Sequence, residues 1–286
     1  MAITPFKLSR PEQLRSCVVF ASPHSGAAYP AAFLRASVLD RHSIRSSEDA
    51  FVDRLFDMVP SCGSPLLSAN VPRAFVDLNR GPDELDSALI EGVRRRGHNP
   101  RVASGLGVIP RVVANGKAIY RGKMARSLAE QRIAQYWQPY HTVLQSLLDE
   151  AHGRFGQAIL VDCHSMPHEA MDGMKRTKQG RPDIVLGDRF GAAASGDIVD
   201  QIEAAFASAG LKVARNTPFA GAYVTQAYGR PSRRQHAVQV EIDRSLYMDE
   251  QKIRPNGDFK AFRVLMQKVA AEIALIGYEQ IPLAAE

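Results

Sequence analysis

Two histidines in this sequence each follow an apolar run and stand among small polar residues. They are His24 in Ser22-Pro-His-Ser-Gly26, after Ser16-Cys-Val-Val-Phe-Ala21, and His164 in Asp162-Cys-His-Ser165, after Ala158-Ile-Leu-Val161. An apolar run that stops in polar groups reads as a buried strand with a functional exit, because open α/β sheets take their ligands beyond the carboxyl ends of their strands. Two such exits can meet across neighbouring strands. Asp49, Arg80 and Glu241 also stand at or near predicted element ends. Two imidazoles and one carboxylate make up the protein ligand set that leaves a zinc position open for water. A separate carboxylate would take a proton from that water, and an arginine would orient an anionic substrate. The chemistry that suits this set is hydrolysis of an amide or ester in a small acidic molecule.

Each of these residues also has a plainer reading. Ser46-x-x-Asp49 fits a capping box, in which both side chains serve backbone amides of the first helical turn. A lone histidine after a strand is commonly a hydrogen-bonded structural group. Arg80 could simply be solvated, although the Asn79-Arg80 pair offers the parallel donors that recognise a carboxylate. Glu241 lies on the polar face of Ala237-Val-Gln-Val-Glu-Ile-Asp-Arg244, whose alternation places Val238, Val240 and Ile242 together. In an edge strand that face is solvated; in a central strand Glu241 is a secluded carboxylate that can act as a base. Cys163 is a nucleophile candidate by position alone.

The elements that must carry these groups alternate along the chain. Strands are expected at 16–21, 65–69, 73–80, 158–165, 182–188, 211–214 and 237–244, with a short one at 117–120. Helices are expected at 31–39, 50–59, 126–153 with a kink or break at Pro139, 196–210 and 258–276. Such alternation predicts a single α/β domain over residues 1–286, a doubly wound mixed sheet with helices on both faces. Residues 81–117 and 166–181 read as long loops.

Composition bounds the function. The chain has 286 residues, 45% apolar and 23% charged, with a net charge of +6. That balance favours small anionic molecules and is too weak to imply nucleic acid. Basic residues gather at 94–101, 175–181 and 230–234, so a non-catalytic anion-binding protein that uses these loops is the alternative from another class. Cys17, Cys62 and Cys163 are too widely spaced for a disulfide framework, which points to a reducing compartment. No run has signal-peptide or membrane-span length, so a cytoplasmic protein with no membrane partner is expected. The residues specify no oligomeric state.

The four segments Ser22-Pro-His-Ser-Gly26, Asp77-Leu-Asn-Arg80, Asp162-Cys-His-Ser165 and Gln239-Val-Glu-Ile-Asp-Arg244 resemble, in order, the signature segments of the N-formylglutamate amidohydrolase family. That family is similar to zinc carboxypeptidases and aspartoacylase-like deacylases, and the resemblance spans residues 17–250. It implies a zinc-carboxypeptidase-like fold and one divalent zinc ion held by His24, His164 and an acidic ligand in Ser47-Glu-Asp-Ala50, Asp49 ahead of Glu48. It also implies that Glu241 activates water, that Asn79 and Arg80 hold a substrate carboxylate, and that Arg244 and Ser165 line the pocket. Cys163 is then a small neighbour of a ligand. The implied reaction is hydrolysis of an N-formyl or N-acyl amino acid, N-formyl-L-glutamate foremost, with a deacylase or carboxypeptidase-like hydrolase for another acidic substrate as the alternative. Ser47-Glu-Asp-Ala50 departs from the Asp-x-Asp-Trp form of the family, and Pro218-Phe-Ala-Gly-Ala-Tyr223 and the 166–181 loop are where specificity should differ.

Overall fold

A computed structural model describes residues 3–94, 99–172 and 180–277. Seven strands form one mixed sheet: β1 (Phe6–Ser9), β2 (Val18–Ser22), β3 (Leu66–Ala69), β4 (Ala158–Met166), β5 (Ile184–Gly187), β6 (Val213–Arg215) and β7 (Gln235–Asp243), in the order β1-β3-β2-β4-β7-β5-β6. β2, β4 and β7 are parallel, whereas β5 runs antiparallel to β7 and parallel to β6. The helices are α1 (Ala31–Ala36), α2 (Val52–Leu55), α3 (Pro100–Ala103), α4 (Arg126–Arg132), α5 (Gln138–Phe155), α6 (Gly196–Ser208), α7 (Tyr223–Tyr228) and α8 (Phe259–Ala274). This is the expected mixed α/β architecture. The chain gathers into two compact units, one of Met1–Lys7, Pro23–Ala50 and Ser68–Val143, the other of Leu8–Ser22, Phe51–Leu67 and Leu144–Glu286.

The second unit holds the apolar centre of the sheet. Val18-Val-Phe-Ala21 and Ala158-Ile-Leu-Val161 are fully buried, as near-continuous apolar runs are when both faces of a parallel sheet are covered. α8 buries Phe259, Phe262, Met266, Val269, Ala270 and Ile273, a stripe at helical spacing, and α6 buries Ile198, Val199, Ile202 and Phe206. β7 lies between β4 and β5. The solvated-edge reading of residues 237–244 is therefore wrong, and Glu241, Gln239 and Asp243 are all buried.

The first unit is built largely from irregular chain around an aromatic cluster. Phe33 stacks on Tyr29 and packs on Phe75 and Tyr120, while Tyr136 meets Phe75 edge-on. Here the sequence reading needs correction. Residues 73–80 are not a strand: Val76 and Leu78 are fully buried, but the segment runs through turns. Its apolar residues signalled burial, which an extended or turning chain achieves as well as a strand. Residues 117–120 contribute only isolated bridges, Ser37 with Tyr120 and Val112 with Ala118. In the other unit, the expected helix at 50–59 shrinks to α2 and a 3₁₀ turn at Val59–Cys62, although Val52, Leu55, Phe56 and Val59 are all buried as its stripe required. Pro60 has no N–H to continue the helical ladder. The long helix does not break at Pro139: Arg126–Phe155 is helical throughout, with a π-helical turn, Ile133–Trp137, joining α4 to α5 just before Pro139.

Candidate active site

His24 follows β2, and His164 lies near the end of the adjacent parallel strand β4. Ala21 of β2 is in register with Asp162 of β4, two residues before His164, and the chain turns out of β2 through Pro23 to His24. Gly26 permits that turn, since a Cβ there would lie 2.1 Å from the carbonyl oxygen of Val71. The Asp49 amide donates to the His24 carbonyl at 3.1 Å, and the Asp49 carboxylate lies 3.3 Å from His24 Nδ1. His24, Asp49 and His164 are all buried, and one ligand atom from each falls within 4.8 Å of the others. Asp49 is thus no capping residue: α2 begins after Phe51, with no side-chain cap. Glu48 is engaged elsewhere, accepting from Arg45 at 2.9–3.1 Å and from the Tyr29 hydroxyl at 2.5 Å.

Behind each imidazole stands a carboxylate whose role the sequence reading missed. Asp77 Oδ1 meets His24 Nε2 at 2.7 Å, and Asp162 Oδ2 meets His164 Nε2 at 2.9 Å. A carboxylate partner draws the imidazole proton to Nε2 and the lone pair to Nδ1, the arrangement that orients metal-binding histidines. Asp77 also accepts from Arg73 Nη2 and from the Asn79 amide, both at 2.9 Å. Burial penalises its charged form, yet the Arg73 guanidinium and the His24 imidazole outweigh that and hold its carboxyl well below the usual range. The donor set of two oriented imidazoles and one carboxylate therefore fits a divalent ion. For Asp162 the signal was legible: residues i and i+2 of a strand project to one face. For Asp77, far from His24 in sequence, there was none.

Glu241 pairs in register with His164 across β4 and β7, so both side chains project from the same face. Gln239 Nε2 donates to Glu241 Oε1 at 2.8 Å, and its own Oε1 accepts the Ala222 amide at 3.1 Å. Gly187 of β5 pairs with Gln239; a Cβ there would lie 2.7–2.8 Å from the backbone of Phe219–Gly221, so that loop rests directly on the strand. Cys163 points to the opposite face, and burial raises its thiol pKa well above the ordinary value, which removes it as a nucleophile.

Arg80 is buried, its Nη1 donating to the Asn79 carbonyl at 2.8 Å and its Nε to the Leu106 carbonyl at 3.0 Å. Arg244 Nε donates to Ser165 Oγ at 3.2 Å, and its Nη1 lies 3.9 Å from Glu250. Of the basic clusters, Arg95, Arg96, Lys175, Arg176 and Lys178 lie outside the described residues. Arg181 pairs with Asp172, and Arg230 Nη1 donates to the carbonyls of Gln226 and Gly229. No described helix is long and apolar enough to cross a membrane.

With this geometry in place, comparison with known proteins is informative. The family model described as N-formylglutamate amidohydrolase matches residues 16–248. Curated relatives named N-formylglutamate deformylase come from Pseudomonas aeruginosa, 31% identical over 82% of this chain and 83% of that protein, and from Pseudomonas putida, 30% identical over 83% and 84%. A crystal structure titled N-formylglutamate amidohydrolase, from Ralstonia eutropha JMP134, is 34% identical with a TM-score of 0.90 and covers 98% of this chain and 100% of that one. A protein from Agrobacterium tumefaciens shares the fold at a TM-score of 0.65 and 14% identity, over 96% of each chain.

Proposed function

Because the chain belongs to the N-formylglutamate amidohydrolase family, we propose that it hydrolyses the amide bond of an N-formyl or N-acyl amino acid, N-formyl-L-glutamate foremost, to give L-glutamate and formate. Its site would be a zinc centre held by His24, Asp49 and His164, with Asp77 and Asp162 orienting the two imidazoles. The observation that supports this most is the convergence of those three ligand atoms within 4.8 Å, each imidazole backed by a buried carboxylate. Bound zinc would supply Lewis acidity at the formyl oxygen and acidify water at neutral pH.

The chain's own residues do the rest. Asn79 and Arg80 bind a substrate carboxylate; the carbonyls of Asn79 and Leu106 fix the Arg80 guanidinium before substrate arrives, so little side-chain entropy is lost on binding. Glu241, secluded on a central strand and held by Gln239, takes a proton from the attacking water and returns it to the amide nitrogen as the C–N bond breaks. Arg244, braced by Ser165, lines the pocket. A single catalytic domain over 1–286 is supported by one family model running through 16–248. A reducing, cytoplasmic location is supported by three free cysteines.

The test is Glu241→Gln, which keeps size and hydrogen bonding but removes the base. Formate release from N-formyl-L-glutamate should fall by about 10²–10⁴-fold while bound zinc stays at the wild-type level. Wild-type turnover in this variant would remove Glu241 from its role. The Phe219–Gly221 loop resting on Gly187 supports a second reading, in which the same chemistry serves another acidic N-acyl substrate. A panel of N-acyl amino acids separates the two by kcat/KM.

A further inference from the structure

Residues 75–80 carry Asp77, Asn79 and Arg80 without being a strand, so something other than a sheet ladder must hold their backbone. Three side chains from one helical stretch do so. Arg132 Nη1 donates to the Phe75 carbonyl at 3.1 Å, His141 Nε2 meets the Leu78 carbonyl at 2.9 Å, and Trp137 Nε1 donates to the Arg80 carbonyl at 2.9 Å. A carbonyl only accepts, so His141 must be protonated at Nε2. Burial lowers its pKa to about 4, which keeps the ring neutral with that single donor at neutral pH.

The helix could not do this as a regular α-helix. Residues 132 and 137 are five apart, and five α-helical residues turn through about 500°, leaving the two side chains about 140° apart. The π-helical turn at Ile133–Trp137, with i→i+5 hydrogen bonding, winds less per residue and brings residue 137 closer to the face of residue 132. Trp137, the last residue of that turn, and His141 of α5 then form an i, i+4 pair with ring centroids 3.9 Å apart. The Arg132 guanidinium sits 4.2 Å from the Phe75 ring centroid and its Nη1 also donates to the Tyr120 hydroxyl at 2.7 Å, so the donor itself is fixed.

We propose that Arg132, Trp137 and His141 form a positioning clamp, aligned by the π-helical turn, that fixes the Asn79–Arg80 backbone in the pose that receives the substrate carboxylate. The clamp rests on the proposed role of Asn79 and Arg80 and assigns three positioning residues outside the site itself. Trp137 is the only tryptophan in the chain, so its fluorescence reports on that segment without any turnover.

The decisive experiment is a double-mutant cycle on zinc-loaded enzyme. Trp137→Phe keeps the aromatic ring and removes the N–H; it should raise KM for N-formyl-L-glutamate about tenfold with kcat changed less than about threefold, and the KM effect should vanish in an Arg80→Ala background. His141→Leu should reproduce the KM effect, whereas His141→Gln, which retains a side-chain N–H, should restore KM to within about threefold of wild type. An unchanged KM in Trp137→Phe, or effects that simply multiply with Arg80→Ala, overturns the clamp. If Trp137→Phe does not fold, the His141→Leu and His141→Gln pair decides the matter alone. In parallel, the fluorescence of wild type titrated with L-glutamate should shift to saturation, and Arg80→Ala should abolish the shift. A shift without formate release would overturn the proposed reaction and keep the clamp; turnover with no effect of Trp137→Phe would do the reverse; neither shift nor turnover would sink both.

Discussion

Asp77 serves two masters: it orients His24 and receives the Arg73 guanidinium. Replacing it by Asn removes the charge that polarises the imidazole and leaves Arg73 facing an amide, so Asp77→Asn should weaken zinc binding by about 10–100-fold, measured by competition with a chromophoric chelator. Wild-type affinity would show that His24 needs no such support. His141 carries a prediction about stability. Its pKa is lowered by burial from 6.5 to about 4, so between those values the unfolded chain takes up a proton that the folded chain refuses. Its contribution is fully present above pH 6.5 and is lost as pH falls towards 4, by about 3 kcal/mol. Denaturant unfolding of wild type and His141→Gln across that window should show the variant losing less stability on acidification; parallel curves would contradict it. At this scale the convergence of His24, Asp49 and His164 was readable in advance. His24, His164, Glu241, Arg80 and the Asp49 carboxylate all sit beside polar exits of buried segments, and short-range patterning reveals those. Asp77 was not readable as the partner of His24, because 53 residues separate them and only folding joins them.

Among the elements, the apolar runs of β2 and β4 and the stripes of α6 and α8 fell close to where periodicity put them. The misreadings share a cause. Apolar patterning reports burial, and residues 73–80 are buried without a neighbouring strand because Arg132, Trp137 and His141 take over the carbonyls that a sheet partner would bind. No local pattern encodes a π-helical turn, and Pro139, read as a kink or break, lies inside a helix that continues through it. The strand β1 was missed because its residues are half-exposed and alternate weakly. A prediction belongs to β5. Gly187→Ala places a Cβ within 2.7–2.8 Å of the Phe219–Gly221 backbone, which cannot yield as a flexible side chain would. It should cost about 1–3 kcal/mol of stability and also lower kcat, because the displaced loop carries Ala222, whose amide holds Gln239, which in turn holds Glu241. A stability loss with unchanged kcat would uncouple the loop from Glu241.

For the molecule as a whole, a mild positive balance of +6 suits capture of a small dianion, and its binding should weaken only gradually with salt. The steep dependence of a phosphate-backbone binder would favour the anion-binding alternative instead. A metal bound only by the folded chain also stabilises it by mass action. The most direct measurement is formate release from N-formyl-L-glutamate by one preparation assayed as purified, after exhaustive chelation, and after one equivalent of zinc is returned. The site built from His24, Asp49 and His164 predicts loss of turnover on chelation and its recovery with zinc, and no recovery in His164→Ala; undiminished turnover by the metal-free protein would contradict it.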